Sequence, residues 1–71
     1  MKHRTLWIWL VDNGLKQQDL AVGLSKSASW VSTRLRMVGF EDEDRAEILA
    51  WARKTRPRLK VIADDLFKEA A

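Results

Sequence analysis

Residues 17–37 read QQDLAVGLSKSASWVSTRLRM, and this stretch decides the fold that the sequence predicts. Its apolar residues fall at helical spacing in two groups, which are Leu20, Ala21 and Leu24 and then Val31 and Leu35. Residues three or four apart share one side of an α-helix, so each group forms one apolar face. Between the groups, Ser25-Lys26-Ser27 is typical of a tight turn, and Ser27 is a common type of helix N-cap. The pattern therefore predicts two short helices whose apolar faces pack against each other.

The second of these helices, predicted from Ala28 to Met37, carries small and polar residues on its other side. These residues are Ala28, Ser29, Ser32, Thr33 and Arg36. Because small side chains let a helix approach base edges closely, such a face suits the major groove of duplex DNA. Two packed helices of this kind are typical of a helix-turn-helix, and they predict a chain that binds double-stranded DNA.

The run LSKSASWVSTRLRM, from Leu24 to Met37, resembles the helix-turn-helix of the ParB/KorB group, whose typical run is L-G-K-S-x-S-W-V-S-x-R-L-R-L. The preceding Q-x-x-L-A-x-x-L pattern is similar to that of Cro/CI-type phage repressors. Together the resemblance covers about residues 15–37. Ser25 stands where the group usually has glycine, and if φ is positive there, a serine costs about 1 kcal/mol.

The resemblance implies residues that hold the DNA backbone and residues that face bases. Gln17, at the start of the first helix of the pair, matches a position whose side chain and backbone N–H meet a phosphate. Lys26 and Ser27 precede the second helix, where a cation and a hydroxyl can fix the phosphate register. Ala28, Ser29, Ser32 and Thr33 are expected on the face toward the bases. Arg36 and, second to it, Arg34 are expected to contact guanine or to clamp a phosphate.

Ordinary structural roles stay open for these residues. Any one serine can be a helix cap or a solvated position, and only the shared face favours base contact. Trp30 is expected to pack beneath the second helix rather than to stack on a base. Arg34 and Arg36 can equally be solvated. A second basic stretch, from Arg53 to Lys60, is interpreted as solvated surface, with a phosphate clamp as the alternative.

The rest of the chain predicts three further helices and no strand, because no stretch alternates apolar and polar residues with period two. The first helix is predicted from Thr5, as N-cap, to Asp12, with Asn13-Gly14 as its stop. Apolar residues surround this helix, so part of its surface is expected to be buried against a second copy or the C-terminal helix. The second helix is predicted from Lys16 to Leu24, and the third is predicted to end at Gly39.

The fourth helix is predicted to begin near Asp42 and to end before Thr55-Arg56-Pro57, because proline disrupts a helix interior. The acidic residues in its first turn and the basic residues in its last turn both interact favourably with the helix macrodipole. The fifth helix is predicted from Arg58 to Glu69. The residues expected on its buried side are Leu59, Ile62, Ala63, Leu66 and Phe67.

Composition limits what the chain can be. It has 71 residues, no cysteine and one histidine, His3, so a single domain over residues 1–71 is expected, with neither disulfides nor a structural zinc site. The apolar run over residues 6–11 is far shorter than the ~20 residues of a membrane span. We therefore expect no membrane contact and a cytoplasmic, nucleoid-associated location.

Positive charge is concentrated in the half that contains the paired helices. The whole chain has a formal net charge of +3. Residues 1–40 hold six basic and two acidic side chains, a net charge of +4, whereas residues 41–71 hold seven basic and eight acidic ones, a net charge of −1. A basic half favours a nucleic-acid partner, although many small proteins of other kinds are equally basic.

Taken together, the sequence predicts an all-α, five-helix bundle with a helix-turn-helix formed by its second and third helices. The expected function is sequence-specific transcriptional regulation of the small phage-repressor type, by a homodimer on a palindromic operator. The alternative is a protein-interaction module that docks a partner through a face rich in tryptophan, namely Trp7, Trp9 and Trp51. No cofactor, metal, small-molecule ligand or enzymatic activity is expected, since the residues for such sites are missing.

Overall fold

The structure is a computed structural model that describes residues 1–67. Within that range the fold is all-α, as the sequence predicts, and it contains five α-helices and no strand. The helices are α1 (Arg4–Asp12), α2 (Gln17–Leu24), α3 (Ala28–Thr33), α4 (Asp42–Thr55) and α5 (Ala63–Phe67). None of them is long and apolar enough to cross a lipid bilayer.

Every helix contributes to one buried apolar cluster. Its members are Leu6, Leu10, Leu20, Ala21, Leu24, Val31, Leu35, Phe40, Ile48, Ala52, Val61 and Leu66. The five residues from the two predicted apolar faces of α2 and α3 are all among them, which confirms that these faces close on each other. Helix α2 also contacts α4, and α1 lies against α5 and the turn that follows α3.

Serine occupies a left-handed position in the turn between α2 and α3. Ser25 has φ 57° and ψ 40°. Its N–H donates to the carbonyl of Val22 at 3.1 Å, and the Lys26 N–H donates to the carbonyl of Ala21 at 2.9 Å. These are the two hydrogen bonds of a Schellman motif, in which glycine usually takes the left-handed position. Ser25 therefore has the positive φ at which a serine costs about 1 kcal/mol, and the turn is closed by backbone hydrogen bonds.

The prediction that α3 continues as an α-helix to Met37 is wrong. The helix passes at Thr33 into a π-helical turn, Arg34–Val38. The Gly39 N–H closes this turn by donating to the carbonyl of Arg34 at 2.8 Å, and Gly39 has φ 92°. Two carbonyls that the wider turn leaves exposed accept hydrogen bonds from the N-terminal segment, Lys2 N–H to Arg36 and His3 N–H to Leu35, both at 3.0 Å.

His3 is a core residue, which the sequence analysis did not anticipate. Its side chain is only 3% exposed, and its Nε2 accepts the Phe40 N–H at 3.2 Å. The imidazole centroid lies 5.1 Å from the ring of Phe40 and 5.7 Å from that of Phe67. The Trp7 N–H donates to the His3 carbonyl at 3.1 Å, so His3 is the N-cap residue of α1 and the predicted cap at Thr5 is wrong.

The region after α4 departs most from the prediction. Helix α4 begins at Asp42 as predicted and includes Thr55, the first residue of the predicted break, whereas α5 begins at Ala63 rather than Arg58. Its start is set by Asp65, whose carboxylate accepts the Ile62 N–H at 3.2 Å. Leu66 is buried and Phe67 half-buried as predicted, and the predicted end at Glu69 lies outside the described residues.

Residues 56–62 form an irregular segment that arginine side chains hold in place. Arg53 Nε donates to the Val61 carbonyl at 3.0 Å, and Val61 is buried. Arg56 donates to the carbonyl of Asn13 at 2.6 Å, which ties the end of α4 to the end of α1. As a result three residues predicted on the buried side of a longer helix are exposed instead: Leu59, Ile62 and Ala63.

Candidate nucleic-acid interface

The outer side of α3 carries the side chains that the sequence analysis assigned to the bases. Val31 and Leu35 are fully buried beneath the helix. We call the opposite surface the α3 face, and it consists of Ala28, Ser29, Ser32, Thr33 and Arg36. Ser32 is half-buried and the other four are exposed. Ala28, Ser29, Ser32 and Thr33 are three or four residues apart within α3 and therefore share one side of it, and Arg36 follows them in the π-helical turn.

The two arginines after Thr33 have different surroundings. Arg34 is half-buried, and its guanidinium carbon lies 5.1 Å from the centroid of the Trp30 ring. Arg36 is exposed, and its backbone carbonyl accepts the Lys2 N–H. Arg34 therefore belongs to the side of Trp30, whereas Arg36 extends the α3 face.

The Trp30 ring lies close to two cations. The Lys26 Nζ lies 5.2 Å from the Trp30 ring centroid, so this ring is within cation–π distance of both Lys26 and Arg34. We call Lys26, Trp30 and Arg34 the Trp30 cluster. The indole is half-buried and lies 5.9 Å from the ring of Phe40, which agrees with the predicted packing role. The second role of this ring was not predicted, although Trp30 and Arg34 are four residues apart, a spacing at which side chains on a helix meet.

Ser27 caps α3, as its sequence position predicts. The Ser27 Oγ accepts the Trp30 N–H at 3.0 Å. A hydroxyl that accepts one hydrogen bond can still donate its own hydrogen to another group. Capping and phosphate binding are therefore compatible roles for this exposed side chain.

A shallow groove connects the Trp30 cluster with the α3 face. It has a volume of about 400 Å³ and is lined by Ser27, Ser29, Trp30, Thr33, Arg34 and Val38. Two of these residues, Ser29 and Thr33, also belong to the α3 face. A ligand that follows the helix can thus contact hydroxyls and the cations beside Trp30 at the same time.

Gln17 is the first residue of α2 and is half-buried. The first backbone N–H groups of a helix have no partner within the helix, so they can donate to a phosphate. The Asp19 carboxylate accepts the Lys16 N–H at 2.8 Å and places one negative charge in the same turn. Gln17 therefore offers an amide and backbone donors, but the local field is less positive than at the Trp30 cluster.

Charge around α3 is not neutralised within the described part of the chain. Over residues 1–67, no carboxylate lies within 4 Å of Lys26, Arg34 or Arg36. By contrast, Arg53 and Arg56 of the second basic stretch donate to backbone carbonyls and stabilise the fold. No group of three or more His, Asp or Glu side chains in residues 1–67 is placed to hold a metal ion.

The tryptophans outside α3 do not form one continuous surface. Trp9 and Trp51 are half-buried and pack edge to face, with ring centroids 6.2 Å apart. Trp7 is 38% exposed and lies on the outer side of α1 with Ile8 and Val11, which are 39% and 55% exposed. We call these three residues the α1 outer surface.

In comparisons with known proteins, no protein-family model matches the chain, and neither a curated protein nor a solved structure is significantly similar to it.

Proposed function

We propose that the chain is a sequence-specific, double-stranded DNA-binding transcriptional regulator of the small phage-repressor type, with α2 and α3 as its helix-turn-helix. The observation that carries the proposal is the asymmetry of α3. One side is fixed by the buried residues Val31 and Leu35, and the other presents small and hydroxyl side chains followed by Arg36. A recognition helix needs one side that is fixed against the core and an outer side of small, polar side chains that can approach base edges.

In this proposal α3 lies in the major groove with the α3 face toward the bases. Serine and threonine hydroxyls both donate and accept, so they contact several base edges, and the Thr33 methyl group suits thymine. Arg36 is the side chain best placed for a bidentate contact with guanine, worth about 1–3 kcal/mol of discrimination. Gln17 and Ser27 contact phosphates on either side of the groove and set the register of the helix.

A single helix of this length makes few base contacts, so specific affinity requires a second copy. We propose a two-fold dimer that reads half-sites about one helical turn apart. The α1 outer surface is a suitable dimer contact, because Trp7, Ile8 and Val11 form an exposed apolar strip on one helix. Bound at an operator, such a dimer would block access of RNA polymerase to the promoter.

Selection of bound duplexes from a random pool, at two salt concentrations, tests the proposal directly. We expect enrichment of a palindromic sequence and an affinity that falls steeply with salt. The double substitution S32A/R36A should weaken binding to the selected duplex at least tenfold. The comparison variant is R58A, which removes an exposed cation of the second basic stretch. If that stretch is solvated surface, affinity should change less than twofold, whereas a larger loss would indicate the alternative phosphate clamp. Unchanged binding by S32A/R36A would show that α3 is not the recognition helix.

The α1 outer surface also favours a second candidate function, a module that docks an apolar face of a partner protein. The substitutions W7A and V11A distinguish the two. In a DNA-binding dimer they lower operator affinity and shift the chain toward monomer. In an interaction module no duplex binds even the unsubstituted chain.

A further inference from the structure

We infer that the Trp30 cluster binds the phosphodiester backbone of one strand beside the major groove, and that Trp30 is the positioning residue that holds both cations for this contact. The inference rests on the proposed function and adds to it a division between the two arginines. Arg34 contacts phosphate without regard to sequence, whereas Arg36 contacts bases.

The first argument is geometric. The two cationic groups lie at nearly equal distances from one ring centroid, 5.2 Å for Lys26 Nζ and 5.1 Å for the Arg34 guanidinium carbon. Long cationic side chains normally lose rotamer freedom when they bind a ligand. Here the ring restricts them before the ligand arrives, so less entropy is lost on binding. Both cations are thus already placed at the same ring beside α3.

The second argument concerns what the ring itself is attached to. Trp30 follows the N-cap residue by three positions, and its own N–H donates to Ser27 Oγ. Its indole lies against Phe40, a buried residue. The ring is therefore fixed both by the start of α3 and by the core, and it can act as a support for the cations. The Ser27 hydroxyl lies in the same groove and supplies a neutral donor.

The third argument is electrostatic. Within residues 1–67 neither cation of the cluster has a carboxylate partner within 4 Å. A cation pair without a counter-ion repels a third cation and attracts an anion. Proteins most often contact DNA phosphates through the guanidinium group of arginine and the ammonium group of lysine. A phosphate strand beside the major groove that contacts Ser27 would meet the cluster in the same groove.

Salt dependence separates a phosphate contact from a base contact. Binding of the selected duplex is measured at several salt concentrations for the unsubstituted chain and for K26A, R34A, R34K and R36A. Each lost phosphate contact lowers the slope of log K against log salt by about 0.9. Because the dimer carries each substitution in both protomers, we expect K26A and R34A each to lower the slope by about 1.8, and R34K to restore it. We expect R34A to weaken every duplex in the pool equally, whereas R36A changes the preferred base at one position of each half-site.

The role of Trp30 is tested by a double-mutant cycle with W30L and R34A. If Trp30 only positions the cations, W30L weakens binding by about three- to tenfold at an unchanged salt slope, since both charges are still present. In the R34A background its effect should be smaller, because one of the two cations is already gone. Thermal unfolding of each variant checks that the domain is still folded. Arg34 is only half-buried, so R34A tests the phosphate contact of the cluster even if W30L does not fold.

Three results would overturn the inference, and they differ from failure of the proposed function. An R34A chain that keeps the full salt slope excludes the phosphate contact. An R34A chain that relaxes specificity at one base pair places Arg34 on a base. Additive effects of W30L and R34A exclude the positioning role of the ring. If no duplex binds the unsubstituted chain, the proposed function fails first and the cluster inference fails with it.

Discussion

Gly39→Ala should destabilise the domain far more than Gly14→Ala, although both glycines have positive φ. Gly14 has φ 68°, and a Cβ placed there meets nothing within 4 Å. Gly39 has φ 92° and ψ 173°, a region that is almost exclusive to glycine and costs other residues about 1–3 kcal/mol. A Cβ at Gly39 would also lie 2.9 Å from Lys2 Cε and 3.4 Å from His3 Nε2.

The magnitude follows from these terms. Alanine at Gly14 costs about 1 kcal/mol in the left-handed region, and about half of this is offset by the lower entropy of the unfolded chain. Alanine at Gly39 has the same offset, but its backbone cost is larger and the end of the Lys2 side chain must move, so we expect a net loss of about 2–3 kcal/mol. For a domain of this size, that corresponds to a decrease in melting temperature of roughly 10–20 °C.

Thermal and urea unfolding followed by circular dichroism measure both variants. A two-state transition with an unchanged urea m-value would attribute the difference to the native state. If Gly39→Ala lowers the melting temperature no more than Gly14→Ala, then the N-terminal segment does not pack against Gly39 as described, and the account of the π-helical turn is wrong.

Three further predictions concern single contacts and are measured by urea unfolding. Gly23→Ala should destabilise the domain by about 1 kcal/mol, because a Cβ there overlaps the Trp51 indole and the crowding outweighs the gain in helix propensity. In a Trp51→Leu background the same change should be neutral or stabilising, and a loss that persists there would contradict the reason given. His3→Phe keeps a ring but removes the acceptor of the Phe40 N–H, so we expect a loss of about 1–3 kcal/mol, and equal stability would show that the hydrogen bond is unimportant. Ser27→Ala should cost about 1 kcal/mol through the lost N-cap, whereas Ser27→Asp should recover most of it.

Local patterns predicted the elements that depend on neighbouring residues. The apolar faces of α2 and α3, the Ser27 cap and the start of α4 at Asp42 were all predictable, because helical spacing and capping involve residues within one or two turns. The sequence did not decide the sign of φ at Ser25, although similar sequences have glycine there. The face of α3 follows from the same periodicity, since two buried positions fix the rotation of the helix.

Long-range contacts explain what the sequence did not predict. His3 is buried because it meets Phe40, 37 residues away, and nothing in the sequence near His3 indicates that partner. Arg56 has the same kind of role, since its carbonyl partner is Asn13. The late start of α5 reflects a competition that periodicity ignores: Arg53 holds the Val61 carbonyl, and Asp65 provides a cap at Ile62. In this segment a local cap and a side-chain bond across eight residues together override the helix propensity of residues 58–62.

The N-terminal segment connects two surfaces that the proposed function uses separately. Its N–H groups at Lys2 and His3 donate to the carbonyls of Arg36 and Leu35, and α1 begins at the next residue, Arg4. The backbone that presents Arg36 is therefore tied to the helix that bears Trp7, Ile8 and Val11. If the α1 outer surface forms the dimer contact, the distance between the two Arg36 side chains is set through a short, hydrogen-bonded path. Half-site spacing would then depend on the packing at Gly39, because this glycine leaves the space in which Lys2 and His3 lie.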